Sequence, residues 1–344
     1  MKIAIAAGGT GGHIYPAGAF ANYAQSHGAE VVWIGSNARM EKDIVKTLNV
    51  PFMGFGIERP SEHPLWLVHD ITAWFAIRNY LKTFKADCVV SAGGYISFFA
   101  ASAARSLGIP YFMMEQNAFP GRVTRMMQKK AQAIFTAFEE SKTYFKSKTN
   151  VLVTGNPVRN DIKKRTKTGN RCVVMGGSLG ARAVNEAVKQ LLNEGFFESS
   201  NIPVLWITGT RDYESIKAAV NPGTMLELCE YRHDMAAVFA EARCMIARAG
   251  AMTVSECAVS GIPMLLVPYP YAKDDHQRLN AEAVEKRGGG KVITESVNLT
   301  GDLKSAISML WNDPARLDAM SMAIRTLMPD NAEEIIWKEI SRSL

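Results

Sequence analysis

A histidine stands directly behind four closely spaced glycines in Ala7-Gly8-Gly9-Thr10-Gly11-Gly12-His13. Glycines let a backbone approach a ligand closely and turn its amides inward, and a helix opening behind them favours anions. A neutral imidazole beside such a turn can accept a proton near pH 7. The same residue would serve equally as a helix N-cap or a packing histidine. Similar turns recur at Gly93-Gly94-Tyr95-Ile96-Ser97 and Gly176-Gly177-Ser178-Leu179-Gly180-Ala181. A tight strand-to-helix connection explains any one of them. Three, each at the end of an apolar run, point to binding of phosphate or diphosphate. A dinucleotide fingerprint fails, because Ile14 stands where its last glycine is needed and Gly35-Ser36-Asn37 offers no acid for a ribose. A P-loop fails too, since Gly290-Lys291 is followed by Val292.

Acids and amides supply further candidates. Glu115-Gln116-Asn117 ends an apolar run at 111–114, at the carboxyl edge where ligands bind α/β sheets, although turn capping would use the same residue types. Glu256 lies on a helical stretch entered from Arg248-Ala249-Gly250; its carboxylate could bridge two ribose hydroxyls or simply face solvent. Asp274-Asp275-His276-Gln277 invites a metal reading, but adjacent Asp residues diverge and no HExxH or similar spacing supports them, so no metal site is expected.

The elements that would position these groups form two series. Short β-rich runs at 3–7, 31–34, 88–91, 111–114, 133–136 and 151–154 alternate with helical patterns such as 17–26 and 98–106. The alternation restarts with runs at 172–175, 204–208, 225–228, 245–247, 264–267 and 291–293. Such alternation builds parallel sheet from βαβ units. The fold class expected is α/β, with two Rossmann-like doubly wound domains facing a cleft, where paired domains of this kind bind ligands. A polar, basic stretch at 160–171 separates the series, placing one domain at 1–160 and the other at 161–329. The amphipathic helix at 330–344, with Ile335, Ile336, Trp337 and Ile340, is expected to pack back on the first.

Composition bounds the rest. The chain has 344 residues, 47% hydrophobic and 21% charged, which suits two globular cores and excludes disorder or coiled coil. No apolar run is long enough to span a bilayer, and the first residues run straight into a strand pattern with no signal-peptide features. Five cysteines, 88, 172, 229, 244 and 257, show no CxxC and read as reduced thiols. Residues 1–155 carry 16 Lys/Arg against 10 Asp/Glu, whereas 156–344 carry 23 of each, so the net charge of +6 is entirely N-terminal. Within 120–150, Arg122, Arg125, Lys129, Lys130, Lys142, Lys146 and Lys148 face only Glu139 and Glu140. Such a face would meet an anionic membrane, a phosphorylated substrate or nucleic acid, or only water.

Taken together, 8–13, 93–97, 115–117, Gly155-Asn156-Pro157-Val158-Arg159, 176–178, 248–256 and His276-Gln277 with Asn280-Ala281 resemble the MurG family. These are the UDP-N-acetylglucosamine:undecaprenyl-pyrophosphoryl-N-acetylmuramoyl-pentapeptide N-acetylglucosaminyltransferases. The segments follow the family's order and spacing over nearly the whole chain. The resemblance implies a GT-B fold and an inverting, metal-independent transfer that needs no cofactor. The donor would be UDP-GlcNAc, the acceptor lipid I and the product lipid II. The protein would sit peripherally on the cytoplasmic face of the bacterial cell membrane. The resemblance places Ser178, Arg159 and the amides of the Gly176 turn near the donor diphosphate. It puts Ala251, Met252, Thr253, Val254, Ser255 and Glu256 around the ribose and phosphates, and the backbone of Arg232 at uracil. Gln277, with His276, would read the GlcNAc hydroxyls, and Asn117 would face the sugar. Thr10, Gly11, Gly12 and Tyr95 would face the acceptor diphosphate or the reaction centre. His13 is the expected general base, with Glu115 second. Trp66, Leu67, Trp74 and Phe75, with the basic residues of 122–148, would dock on anionic lipid.

The chain departs from the family at three places. The loop Gly56-Ile57-Glu58-Arg59-Pro60-Ser61-Glu62-His63-Pro64 carries two acids where a basic loop is usual, Leu179 follows Ser178 in place of Gln, and Arg232-His233 replaces an apolar-acidic pair. These leave room for a related glycosyltransferase with another lipid or small-molecule acceptor. A UDP-GlcNAc 2-epimerase and a nucleotide-sugar-binding sensor are further alternatives, although a sensor need not keep His13, Glu115, Asn117 and Gln277. Nucleic acid is not an expected partner, since no binding motif accompanies the basic stretch.

Overall fold

Ile3, Ala4, Ile5 and Ala6 are wholly buried, as an unbroken apolar run must be when both faces of a parallel sheet are covered. They lie in β1 (Lys2–Ala6), the middle of the first sheet. The computed structural model describes every residue except 38–40, 58–65, 148–149, 164–168, 178, 221–222 and 224, and omits the side chains of 41, 43 and 66–68. The chain divides into two units, Met1–Arg159 with Asp330–Leu344, and Asn160–Pro329.

The first unit holds β1, β2 (Glu30–Ser36), β3 (Phe52–Phe55), β4 (Cys88–Ser91), β5 (Tyr111–Glu115), β6 (Ile134–Thr136) and β7 (Val151–Val153). Its helices are α1 (Gly11–Ser26), α2 (Glu41–Lys46), α3 (Trp66–Phe84), α4 (Tyr95–Ser106) and α5 (Arg122–Met127). The strands pair in parallel in the order β3-β2-β1-β4-β5-β6-β7. On one face Ala73 and Ile77 of α3, Ile96 and Ala100 of α4 and Met127 of α5 cover the sheet. On the other, Ile14, Phe20 and Ala24 of α1 pack with Ile336 and Ile340 from the C-terminal end of the chain.

The second unit opens with α6 (Asn160–Lys163). Its strands are β8 (Arg171–Met175), β9 (Val204–Ile207), β10 (Leu226–Cys229), β11 (Ala242–Ala247), β12 (Met264–Leu266) and β13 (Gly290–Val292). The remaining helices are α7 (Arg182–Asn193), α8 (Phe196–Ser199), α9 (Tyr213–Ala219), α10 (Met235–Glu241), α11 (Ala251–Ser260), α12 (His276–Lys286), α13 (Leu299–Trp311) and α14 (Pro314–Arg325). The strand order is β10-β9-β8-β11-β12-β13, again all parallel. The last helix, α15 (Ala332–Ser343), belongs to the first unit, where Glu333 accepts the Val158 N–H at 3.0 Å.

Two details depart from the expected elements. The helix expected from residue 17 begins at Gly11, so His13 lies in its first turn rather than in a loop. Glycine is a poor helix former, but here Thr10 takes the extended N-cap conformation (φ −144°) and its carbonyl already accepts from His13 and Ile14. Strand β3 was not among the expected runs, being four residues long, half-buried and interrupted by Gly54.

Candidate active site

In a doubly wound sheet, ligands bind beyond the carboxyl ends of the strands where the order reverses. In the first unit that point lies between β1 and β4, where the turns at 8–10 and 92–94 emerge. Core groups fix both. The indole N–H of wholly buried Trp33 donates to the Ala7 carbonyl at 3.1 Å. The Ser97 hydroxyl lies 2.7 Å from the carbonyls of both Ala6 and Gly93 and shares its proton between them. The Gly8 N–H donates to the Gly93 carbonyl at 3.3 Å. At Gly94 (φ +83°) a Cβ would fall 2.2 Å from the Gly8 carbonyl oxygen, so only glycine allows the two turns to meet.

His13 rests on this junction. A Cβ on Gly93 (φ +100°) would lie 2.4 Å from His13 Nδ1, so the bare glycine forms the seat of the ring. On its other side Nδ1 lies 2.9 Å from Gln116 Oε1. Thr10 is exposed at the head of α1, and Gly11 and Gly12 contribute backbone to its first turn.

Glu115 is placed differently from its expected role as second candidate base. It is 3% exposed; Oε1 accepts the Asn117 N–H at 3.2 Å, and Oε2 accepts the Gly121 N–H at 2.8 Å and the Thr124 hydroxyl at 2.7 Å. These three donors make the carboxylate a brace for the 115–124 loop. Asn117 itself is half-buried at the end of that brace.

Tyr95 is held from α3. Its hydroxyl donates to Asp70 of α3 at 2.8 Å, and Asp70 is 2% exposed, so the phenol is aimed at a neighbouring helix. Burial first, then this hydrogen bond, push its pKa up to about 12. Stability from the protonated phenol is therefore complete below the ordinary tyrosine value near 10 and is lost as pH rises towards 12. Tyr95→Phe is expected to lower stability by about 1–3 kcal/mol, read as a lower urea midpoint, with no change in donor binding. An unchanged midpoint would show that the bond does not brace α4 against α3.

In the second unit the reversal lies between β8 and β11. Ser178 falls outside the described residues, as does nearly all of the 56–64 loop. At Gly180 a Cβ would lie 2.2 Å from the Thr208 carbonyl, so the turn after β8 packs on the turn after β9. Asn185, 1% exposed, holds the end of β9 and the turn after it: Nδ2 donates to Thr208 O at 2.9 Å and Asp212 Oδ2 at 2.8 Å, and Oδ1 accepts from Trp206 Nε1 at 3.1 Å. Neither Asn185 nor the 208–212 turn was an expected site element; Thr208-Gly209-Thr210 after a strand was the signal for it.

α11 begins behind the N-cap Gly250, and its first turn presents backbone N–H groups. Met252, Thr253 and Glu256 are half-buried on one side, whereas Ala251, Val254 and Ser255 are buried on the other. The Val254 N–H is used by the Gly250 carbonyl, and the Ser255 hydroxyl donates to the Ala251 carbonyl at 2.7 Å. Val254 and Ser255 thus turn their side chains to the core. Arg248, two residues before the cap, donates to the carbonyls of Val267 and Pro268, both at 3.1 Å, and pairs with Glu295. It ties the head of α11 to the loop leading to Gln277. Gln277 Oε1 accepts the Tyr269 N–H at 3.0 Å, which leaves its NH2 group as the donor presented. His276 Nδ1 lies 2.7 Å from the Lys273 carbonyl. The Arg232 side chain turns back onto its own strand, pairing with Glu227. Arg159, half-buried, ends the first unit. Among the described residues no three His, Cys, Asp or Glu side chains cluster to hold a metal ion.

Comparison with known proteins decides the family. Residues 3–136 match the glycosyltransferase family 28 N-terminal domain and residues 171–335 its C-terminal domain. A Francisella tularensis protein named UDP-N-acetylglucosamine–N-acetylmuramyl-(pentapeptide) pyrophosphoryl-undecaprenol N-acetylglucosamine transferase is 36% identical, over 97% of this chain and 96% of its own. A protein of the same name from Desulforamulus reducens is 35% identical, over 98% and 97%. The crystal structure of Acinetobacter baumannii MurG matches with a TM-score of 0.82 and 30% identity, over 99% of both chains. The chain belongs to the MurG family. Its fold is accordingly GT-B, two parallel-sheet α/β domains. A Neisseria meningitidis UDP-GlcNAc 2-epimerase bound to UDP-GlcNAc, at 14% identity and a TM-score of 0.69, shares that fold.

Proposed function

We propose that this protein transfers GlcNAc from UDP-GlcNAc to the C4 hydroxyl of MurNAc in a lipid-linked MurNAc-pentapeptide, with inversion at the sugar carbon. The observation that carries the reading is the His13 imidazole, seated on Gly93 at the switch point of the first unit with one nitrogen engaged by Gln116. A sugar hydroxyl is a weak nucleophile. His13 takes its proton as the oxygen bonds to C1 of GlcNAc and the C1–O bond to the diphosphate breaks. UDP leaves with the electron pair. The negative charge it gains is met in the second unit by the Gly176 turn and the first-turn amides of α11, which act where charge develops. Arg159 is the cation assigned to the same diphosphate. Glu256 takes the ribose hydroxyls, the backbone at Arg232 takes the base, and the Gln277 NH2 group donates to a GlcNAc hydroxyl. A wrong epimer would leave that donor unpaired, which discriminates strongly. Thr10, Gly11 and Gly12 face the acceptor diphosphate, and Asn117 faces the sugar.

The reading is tested against the epimerase alternative by incubating the protein with UDP-GlcNAc alone and with acceptor. UDP release only with acceptor supports it; conversion of UDP-GlcNAc without acceptor overturns it.

A lipid-borne acceptor calls for membrane contact. Among the described residues no helix is long and apolar enough to cross a bilayer. The layer formed by α3, α4 and α5 carries exposed Ile71 and Phe75, 49% and 60% exposed, and Met126 at 56%. Arg122, Arg125, Lys129 and Lys130 are exposed beside Met126. Trp74 is half-buried and donates to Ser102, so Phe75 rather than Trp74 is the free aromatic; the side chains of Trp66 and Leu67 lie outside the described residues. This face docks on anionic lipid, each basic residue contributing about 1 kcal/mol near the surface. Replacing Arg122, Arg125, Lys129 and Lys130 by Gln is expected to abolish sedimentation with anionic liposomes at low salt. Unchanged co-sedimentation would exclude this face.

A further inference from the structure

The proposal above leaves open which imidazole nitrogen takes the proton and what makes it available. The geometry points to Gln116 as the positioning residue that holds His13 in the Nδ1–H form, with Nε2 unprotonated; the inference rests on the reading of His13 as the base. Gln116 is 1% exposed. Its Nε2 lies 3.0 Å from the Ala92 carbonyl and 3.3 Å from the Met114 carbonyl, the ends of two neighbouring strands, β4 and β5. Both partners are acceptors only, so the amide must turn its NH2 group to them. The reversed amide would set a carbonyl oxygen against two others in a buried site. Oε1 is thereby fixed towards His13 at 2.9 Å, and an oxygen that can only accept requires a proton on Nδ1. In neutral imidazole one nitrogen carries the proton and the other the lone pair, so Nε2 becomes the acceptor. The Gln116 backbone carbonyl is held in turn by Asn156 Nδ2 at 3.2 Å, and the ring is seated against Gly93. The sheet itself, through two strand-end carbonyls, writes the protonation state of the base. During transfer Nε2 gains the hydroxyl proton, and the imidazolium so formed keeps its Nδ1–H bond to Gln116.

The test is the 15N spectrum of His13 in the full-length protein, assigned by its loss in His13→Ala. In the parent protein Nδ1 should be of the protonated type and Nε2 of the lone-pair type. Gln116→Met, similar in shape but without the amide, should lose that preference. Its kcat should fall at least about tenfold, short of the roughly 10²–10⁴-fold worth of a general base, with the KM for UDP-GlcNAc unchanged. Gln116→Glu covers the case in which the Met variant does not fold. With its second oxygen protonated towards the Ala92 and Met114 carbonyls it keeps an acceptor oxygen at the ring, so Nδ1–H should persist and kcat should stay near that of the parent. Nδ1–H retained in folded Gln116→Met, or lost in Gln116→Glu, would overturn the inference. A tautomer that changes in Gln116→Met without any change in kcat upholds the role of Gln116 and removes His13 from the chemistry, so the two claims fail separately.

Discussion

His13→Ala should lower kcat by about 10²–10⁴-fold, the usual contribution of a positioned general base, while UDP-GlcNAc binding stays unchanged. The separation follows from where the groups sit. The imidazole belongs to the unit formed by Met1–Arg159 and Asp330–Leu344, whereas, Arg159 apart, the residues assigned to the donor nucleotide belong to Asn160–Pro329. Truncating the ring at the head of α1 leaves the helix start intact, because the bonds from His13 and Ile14 to the Thr10 carbonyl are made by backbone N–H groups. Steady-state kinetics with calorimetric titration of UDP-GlcNAc reads both quantities. Turnover within a fewfold of the parent would take His13 out of the mechanism.

Gly93→Ala should be almost as damaging, although the substitution adds one methyl group and touches no ionisable residue. That methyl would lie 2.4 Å from His13 Nδ1 and 2.9 Å from Cγ, too close for the ring to keep its position against Gln116. A φ of +100° adds backbone strain of about 1–2 kcal/mol in any residue with a Cβ. We expect kcat to approach that of His13→Ala, with a modest loss of thermal stability and unaltered UDP-GlcNAc binding. A variant that is slightly less stable yet fully active would show that the ring does not need its seat. The two variants should also be strongly non-additive, since both act through one imidazole.

Much of the fold is legible in the residues. Ile3 to Ala6 and Cys172 to Val174 announce strands covered on both faces, each followed by a glycine pair and a helix, and the repetition of that sequence implies two doubly wound units. The start of α1 is harder to read because glycines at 11 and 12 argue for a loop; the N-cap geometry at Thr10 overrides them. The face of α11 is legible too: 251, 254, 255 and 258 fall on one side of a 3.6-residue helix, away from Met252, Thr253 and Glu256. Contacts between distant segments are a different case. Nothing near Tyr95 indicates that Asp70, 25 residues earlier, receives its hydroxyl. Nothing near His13 indicates that the residue orienting it is 103 positions away, between a glutamate and an asparagine that look chemically more active. Gln116 acts through the carbonyls of Ala92 and Met114, and Asn185 through that of Thr208, and those roles leave no mark around the two amides in the sequence.

The most direct test of the central claim is transfer of labelled GlcNAc from UDP-GlcNAc to a lipid I analogue with a shortened polyprenyl chain, run with EDTA and followed by analysis of the new linkage. The account predicts a β-1,4-linked product with stoichiometric UDP release, chelator present or not. UDP-GlcNAc bound normally but never transferred to this acceptor would contradict it.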